Sequence, residues 1–315
     1  MSKFLIRRFF TSIIVIFGVV TLVFFTMRAA PGDPVEAVLG EQAMEADKNE
    51  MRQCLNLIDE NHDPKPLWEQ YALFWGDVLD GTLGELCDDP GVTVVDRLIE
   101  NIPYTFELAL AAMFFALMVG IPLGILAALR PYSWIDNTTA VVSLMGISIP
   151  NFWLGPMLLI IFSLSLQVLP NPGAGVAGLT ALVLPAVTLG TAMSAKLMRM
   201  MRSSMMEMLN RDFIRTAKSK GLQRHMVVLK HALRTALIPV ITIVGLQFGA
   251  LLTGAIIVEK IFARPGVGTM LLDGIEQRNY LIVQGSVIFI SFTYVIVNLV
   301  TDLVYGMVDP RIRYD

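Results

Sequence analysis

Long apolar runs recur along the chain, and the polar breaks between them differ in character. An uncharged run from Phe9 to Met27 follows Lys3, Arg7 and Arg8. At 1.5 Å of rise per helical residue, such a run crosses ~30 Å of hydrocarbon. It is too long for the core of a cleaved signal peptide ending at Ala29-Ala30, the rival reading, and Pro31 would follow the cut. Five further runs, at 103–129, 138–168, about 180–200, about 236–258 and about 281–305, each predict a membrane-spanning helix. Pro103 opens the second and Arg130-Pro131 ends it; Gly120, Pro122 and Gly124 predict a kinked, closely packed helix, because small residues let membrane helices approach.

Two spans carry the polar positions that bear on a path. Ser143, Gly146, Ser148, Pro150, Asn151 and Gly155 interrupt the third. Irregular backbone at membrane depth is tolerated only against protein or a water-filled cavity. This span is therefore either the wall of a path or a helix-packing surface. The fifth holds Gln247, the costliest side chain in any span centre, since an unpaired amide in hydrocarbon is strongly disfavoured. Ser148, Asn151, Gln247 and Thr253 are the candidates for lining a path.

The largest polar break, residues 31–100, holds 17 acids and four bases. Its apolar residues predict a folded segment, and Trp68, Tyr71 and Trp75, spaced three and four apart, predict a helix with an aromatic face. That face either packs on the membrane and its spans or meets an external partner. Both cysteines, Cys54 and Cys87, lie here. Outside the cytoplasm two thiols in one small segment favour a disulfide; two buried thiols are the alternative.

The opposite character marks the break before the fifth span. From Lys196 to Arg234 there are ten Lys/Arg against Glu207 and Asp212. The stretch predicts a short helix from Phe213 to Lys220, a stop at Gly221 and a second helix entered near Arg224, Gly being the usual residue just past a helix end. Basic segments stay inside, so this island, both termini and Lys3, Arg7 and Arg8 are expected in the cytoplasm, with the acidic loop outside.

Composition agrees with a polytopic membrane protein. The 315 residues are 55% hydrophobic and 16% charged, with mean hydropathy +0.63, where a soluble domain carries about 25% charge. A phosphate-binding GxxxxGK[ST] loop, a nucleophile elbow and a metal-ligand cluster are all missing from the sequence, and His62, His225 and His231 are scattered. The chain is not expected to bind a cofactor, hydrolyse ATP or bind nucleic acid. Met198, Met200, Met201, Met205, Met206 and Met208 suit an adaptable packing surface better than a metal path.

The order Arg215-Thr216-Ala217-Lys218-Ser219-Lys220-Gly221, with Asp212-Phe213 before it and His231-Ala232-Leu233-Arg234 after it, resembles the EAA loop of binding-protein-dependent ABC importer permeases. It is most similar to the dipeptide/oligopeptide/nickel branch. Arg215 stands where many of these families have Glu, and Arg234 where many have Pro, replacements usual in the peptide branch. PGDP from Pro31, KPLWEQY from Lys65, GTLGE from Gly81, the FxxPGxG element at Phe262–Gly268 and the closing Asp309-Pro310-Arg311 are similar to that branch too.

The resemblance implies an all-α type I importer permease of six spans. Its parts would be an anchor helix (1–30), an acidic external loop (31–100), a five-helix transport domain (101–306, coupling loop about 203–234) and a tail (307–315). It implies a place in the bacterial inner membrane beside a second permease, two ATPases carrying ATP and Mg, and an extracytoplasmic binding protein. Asp212, Phe213, Arg215, Thr216, Ala217, Lys218, Lys220 and Gly221 would dock on an ATPase, and the FxxPGxG turn would lie near a gate. Peptides are the implied cargo, with nickel chelates and glutathione open. The rival classes are a channel or secondary carrier without an ATPase, and a scaffold whose basic island binds anionic lipid. Glu107, Lys196 and Asp302 lie near span ends, which argues against a proton-coupled carrier, whose relay groups sit within spans.

Overall fold

The computed structural model describes residues 2–29, 32–40, 42–173 and 178–308. Asp309-Pro310-Arg311 and part of the turn before the fourth span fall outside them. Among the described residues the chain is helical, with two isolated β-bridges. Five helices are long and apolar enough to cross a membrane, or six if one bent pair counts as a span. The chain divides into two compact units.

The first comprises residues 1–105 and 265–295. Helix α1 (Ser2–Ala29) is the first predicted span. Asp33 opens α2 (Pro34–Leu39) by accepting the Val35 N–H at 2.9 Å, as a capping carboxylate does for an unpaired N-terminal donor. Arg52, on α3 (Glu45–Cys54), donates to the same carboxylate at 2.7 Å. A disulfide joins Cys54 to Cys87, with Cα atoms 5.9 Å apart.

Helix α4 (Leu67–Leu79) lays Tyr71, Phe74 and Trp75 against Phe17 and Phe24 of α1, with ring centroids 5.2–5.3 Å apart in the Phe17–Trp75, Phe24–Tyr71 and Phe24–Phe74 pairs. The expected aromatic face is thus shifted: Phe74 joins it and Trp68 is 73% exposed, because α4 meets α1 along only part of its length.

Helix α5 (Val94–Leu129) begins nine residues before Pro103, not at it. The Thr93 N–H donates to the Asp96 carboxylate at 2.9 Å, and the Asp96 N–H donates back to the Thr93 hydroxyl at 3.2 Å. This reciprocal cap starts the helix upstream of the apolar run. The start of α5 packs with α12 (Val267–Glu276) around Val94, Leu98 and Val267. The FxxPGxG segment is a turn that ends in this helix, and Thr105 accepts its first N–H, from Val267, at 2.9 Å.

The second unit comprises residues 106–264 and 296–315. Helix α6 (Trp134–Ser148) and helix α7 (Asn151–Leu158) meet at 105°, so the third run is a bent helix pair and not one straight helix. Ile149 lies in the extended region, where the ring of Pro150 forces the residue before it. A π-helical turn, Leu159–Ser165, continues α7.

Helix α8 (Leu179–Leu209) is the central element, with Leu189, Met193, Leu197, Met201 and Met205 in the core. Gly120 and Gly124 of α5 pack directly on it. A Cβ on Gly124 would lie 2.7 Å from both the Met198 carbonyl and the Met201 Cβ. Helix α13 (Tyr280–Val308) is the last predicted span and contributes residues to both units.

Candidate functional site

The basic island folds as a tab. Helix α9 (Asp212–Ser219) alternates one buried row, Ile214 and Ala217, with an exposed one that includes Asp212, Phe213, Arg215, Thr216 and Lys218. Ile214 and Ala217 belong to the same core as Met205 and Val227, so packing fixes the helix. Phe213 is 42% exposed among charged neighbours, an apolar side chain with no core of its own to enter.

The C-terminus of α9 closes as a Schellman motif. The Gly221 N–H donates to the Lys218 carbonyl at 3.0 Å, and the Leu222 N–H donates to the Ala217 carbonyl at 3.4 Å. Gly221 sits at φ +76°, the left-handed position the motif needs. Gln223 then starts α10 (Arg224–Met226), which runs through a π-helical turn, Val227–Ala232, into α11 (Leu233–Ile261). The separate second helix and fifth span of the sequence reading are one 38-residue helix, Arg224–Ile261. Val227, Val228 and Ala232 bury the inner side of the π turn. A cleft of about 530 Å³ opens beside the tab, lined by Leu129, Pro131, Lys218, Leu222 and Arg224 among others.

One ion pair was not anticipated. Arg202 of α8 grips Asp136 of α6 with Nε on Oδ1 and with Nη2 on Oδ2 at 2.7 Å. The Tyr132 N–H adds a donor to the same carboxylate at 2.9 Å. Asp136 is buried; a bidentate, hydrogen-bonded partner is what makes a buried carboxylate tolerable. The only sequence signal was an acid just after a short turn and a base at the matching end of a later span.

The four path candidates differ in what they bond to. Ser148 and Thr253 are exposed, and each hydroxyl donates to a carbonyl of its own helix, at Leu144 and Gly249. Asn151 is half-buried at the start of α7, beside the break. Gln247 accepts from the Lys196 ammonium at 3.0 Å. That contact corrects the placement of Lys196 near a span end: its charge reaches the centre of the fifth apolar run.

A helical unit with a sharply bent helix pair, a capped basic tab and a long helix rising from it defines the class. The fold is that of ABC importer membrane subunits. It matches a chain of the structure titled "Inward facing conformations of the MetNI methionine ABC transporter", with TM-score 0.51 and 17% identity over 67% of this chain and 96% of that one. It also matches "Crystal structure of an amino acid ABC transporter with histidines", with TM-score 0.51 and 18% identity over 76% and 98%.

The chain belongs to the family of binding-protein-dependent transport system inner membrane components, matched over residues 120–314, with the N-terminal part of such components matched over residues 1–109. It is a permease subunit of an ABC importer, a multi-pass inner-membrane protein. It is 38% identical to the dipeptide transport system permease protein DppB of Escherichia coli strain K12, over 100% of this chain and 99% of that protein. It is 37% identical to the oligopeptide transport system permease protein AppB of Bacillus subtilis strain 168, and 37% identical to the glutathione transport system permease protein GsiC of Pectobacterium atrosepticum, over the full length of each pair.

Proposed function

We propose that this subunit passes peptides across the cytoplasmic membrane, driven by ATP hydrolysed on two separate ATPase subunits that carry ATP and Mg. A second, homologous permease completes the path, and a binding protein delivers cargo to the acidic outer face. Both termini and the tab lie in the cytoplasm. The tab, Asp212 to Gly221, docks on an ATPase. Its exposed face offers Phe213 as an apolar anchor ringed by Arg215, Lys218 and Lys220, the mixture that suits a buried contact with a polar rim. Ser148, Asn151, Gln247 and Thr253 face the path. Glutathione is the second cargo to test, given the similarity to GsiC.

The observation that carries the docking role is the Schellman closure at Gly221: it ends α9 and turns the chain into the 38-residue helix, on whose Val227 side Ile214 and Ala217 pack, so force on the tab passes into that helix. Gly221→Pro removes the N–H given to Lys218 and demands φ near −65° where +76° is required. Uptake of a labelled dipeptide by the assembled complex should be lost while membrane insertion persists. Gly221→Ala, which strains the same φ by ~1 kcal/mol, should retain partial uptake. Full uptake by Gly221→Pro would remove the coupling role from this tab.

A further inference from the structure

Gln247 occupies the middle of the longest uncharged stretch of its helix. Arg234 lies thirteen residues before it and Glu259 twelve after it, the nearest charges on either side. At 1.5 Å per residue, each is about 18–20 Å away. The Lys196 ammonium, 3.0 Å from the Gln247 Oε1, therefore lies beside the middle of that uncharged stretch.

Lys196 is exposed, and Gln247 is its one polar partner among the described residues. Arg199, one turn further along α8, is also exposed and forms no ion pair among them. Of the three cations in this half of α8, only Arg202 is neutralised, by Asp136. A bare ammonium cannot face lipid at that depth; such groups look into water or meet a counter-charge.

The donors left over have a definite geometry. A lysine ammonium has three protons and Gln247 engages one of them. The Gln247 Nε2 amide carries two more protons, with no partner among the described residues. The ammonium and the amide are thus neighbours, and both have N–H donors to offer, the chemistry that suits the two oxygens of a carboxylate.

We propose that Lys196 and Gln247 form a carboxylate-binding step on the translocation path, which takes the free C-terminal carboxylate of a passing peptide. This rests on the peptide reading above and adds a specificity-determining pair to it. A mid-membrane ammonium lowers the barrier for an anionic end group, and Arg199 carries the same sign toward the adjoining end of α8.

The test uses the assembled transporter in proteoliposomes, with labelled dialanine as the probe and binding-protein-stimulated ATP hydrolysis as a second readout. Lys196→Met should cut dialanine uptake about tenfold, the worth of one charge-assisted hydrogen bond, with ATP hydrolysis and assembly unchanged. Lys196→Arg should stay within about twofold of wild type, because it restores a charged donor. Unchanged uptake in Lys196→Met overturns the inference. So does a parallel loss of uptake, hydrolysis and assembly, which would place the counter-charge on a neighbouring subunit. If the wild-type complex does not import dialanine, the peptide reading fails, and the pair is judged by Lys196→Cys. An aqueous sulfonate-bearing methanethiosulfonate should then label that thiol in the intact complex, and a thiol closed to it would place the pair away from any anion path.

Discussion

Two aspartates of the acidic segment, residues 31–100, respond to their surroundings in opposite directions. Burial acts to raise the Asp33 carboxyl, but the Arg52 guanidinium, the Val35 N–H and the Arg52 charge together hold it below its ordinary value of 3.8. Burial, with Asp80 nearby, pushes Asp77 above that value. By linkage, Asp33 contributes stability that is present above pH ~3.8 and fades as the pH falls through its lowered pKa. Asp77 does the reverse: its cost is absent below pH ~3.8 and is complete once the pH exceeds its raised pKa. Asp77→Asn should therefore raise the melting temperature at pH 7 by about 2 °C, with no effect near pH 3.5. Asp33→Asn should lower it at pH 7 and flatten the loss on acidification. Melting curves of the purified protein at both pH values check the pair of signs, and an Asp77→Asn effect of equal size at both would show that its charge is not the cause.

Helix backbones come close where α5 crosses α8. Gly124→Val would put its first carbon 2.7 Å from the Met198 carbonyl, so one helix must move away. Overpacking of this kind costs roughly 1–3 kcal/mol. The purified protein should melt several degrees lower, whereas Gly18→Val, at a glycine with no atom within 4 Å of its Cβ position, should be near neutral. The closeness was legible in Gly120 and Gly124, and the stop at Gly221 was legible in the residue itself. Other features were not. The reciprocal cap of Thr93 and Asp96 was present as letters but lay outside the apolar run used to place the helix. Pro150 announced a break, yet a bend of 105° depends on how α7 packs with α8 and α11. The depth of Lys196 was hidden because a four-carbon stem carries the charge well away from its own backbone position, and only the partner helix reveals where it ends.

At the scale of the whole molecule, this subunit is one part of a larger machine. Pulled down by a tag after co-expression with its genomic neighbours, it should bring a second permease and two ATPases, with hydrolysis stimulated by the binding protein. Purification alone, with solute movement independent of nucleotide, would favour a passive channel. The 38-residue helix from Arg224 to Ile261 is long for a span, and the tab is attached at its base. If the tab docks on an ATPase as proposed, the helix becomes a lever driven from its base. Gln247 sits 23 residues above Arg224, about 35 Å along the axis. A tilt of only about 5° at the base would swing Gln247 sideways by ~3 Å. Lys196 rides on α8, which Arg202 ties to Asp136 of α6, and any part of the tilt that α8 does not share changes the spacing of the pair. Each nucleotide cycle would then pull the two jaws of a small clamp apart and bring them back together.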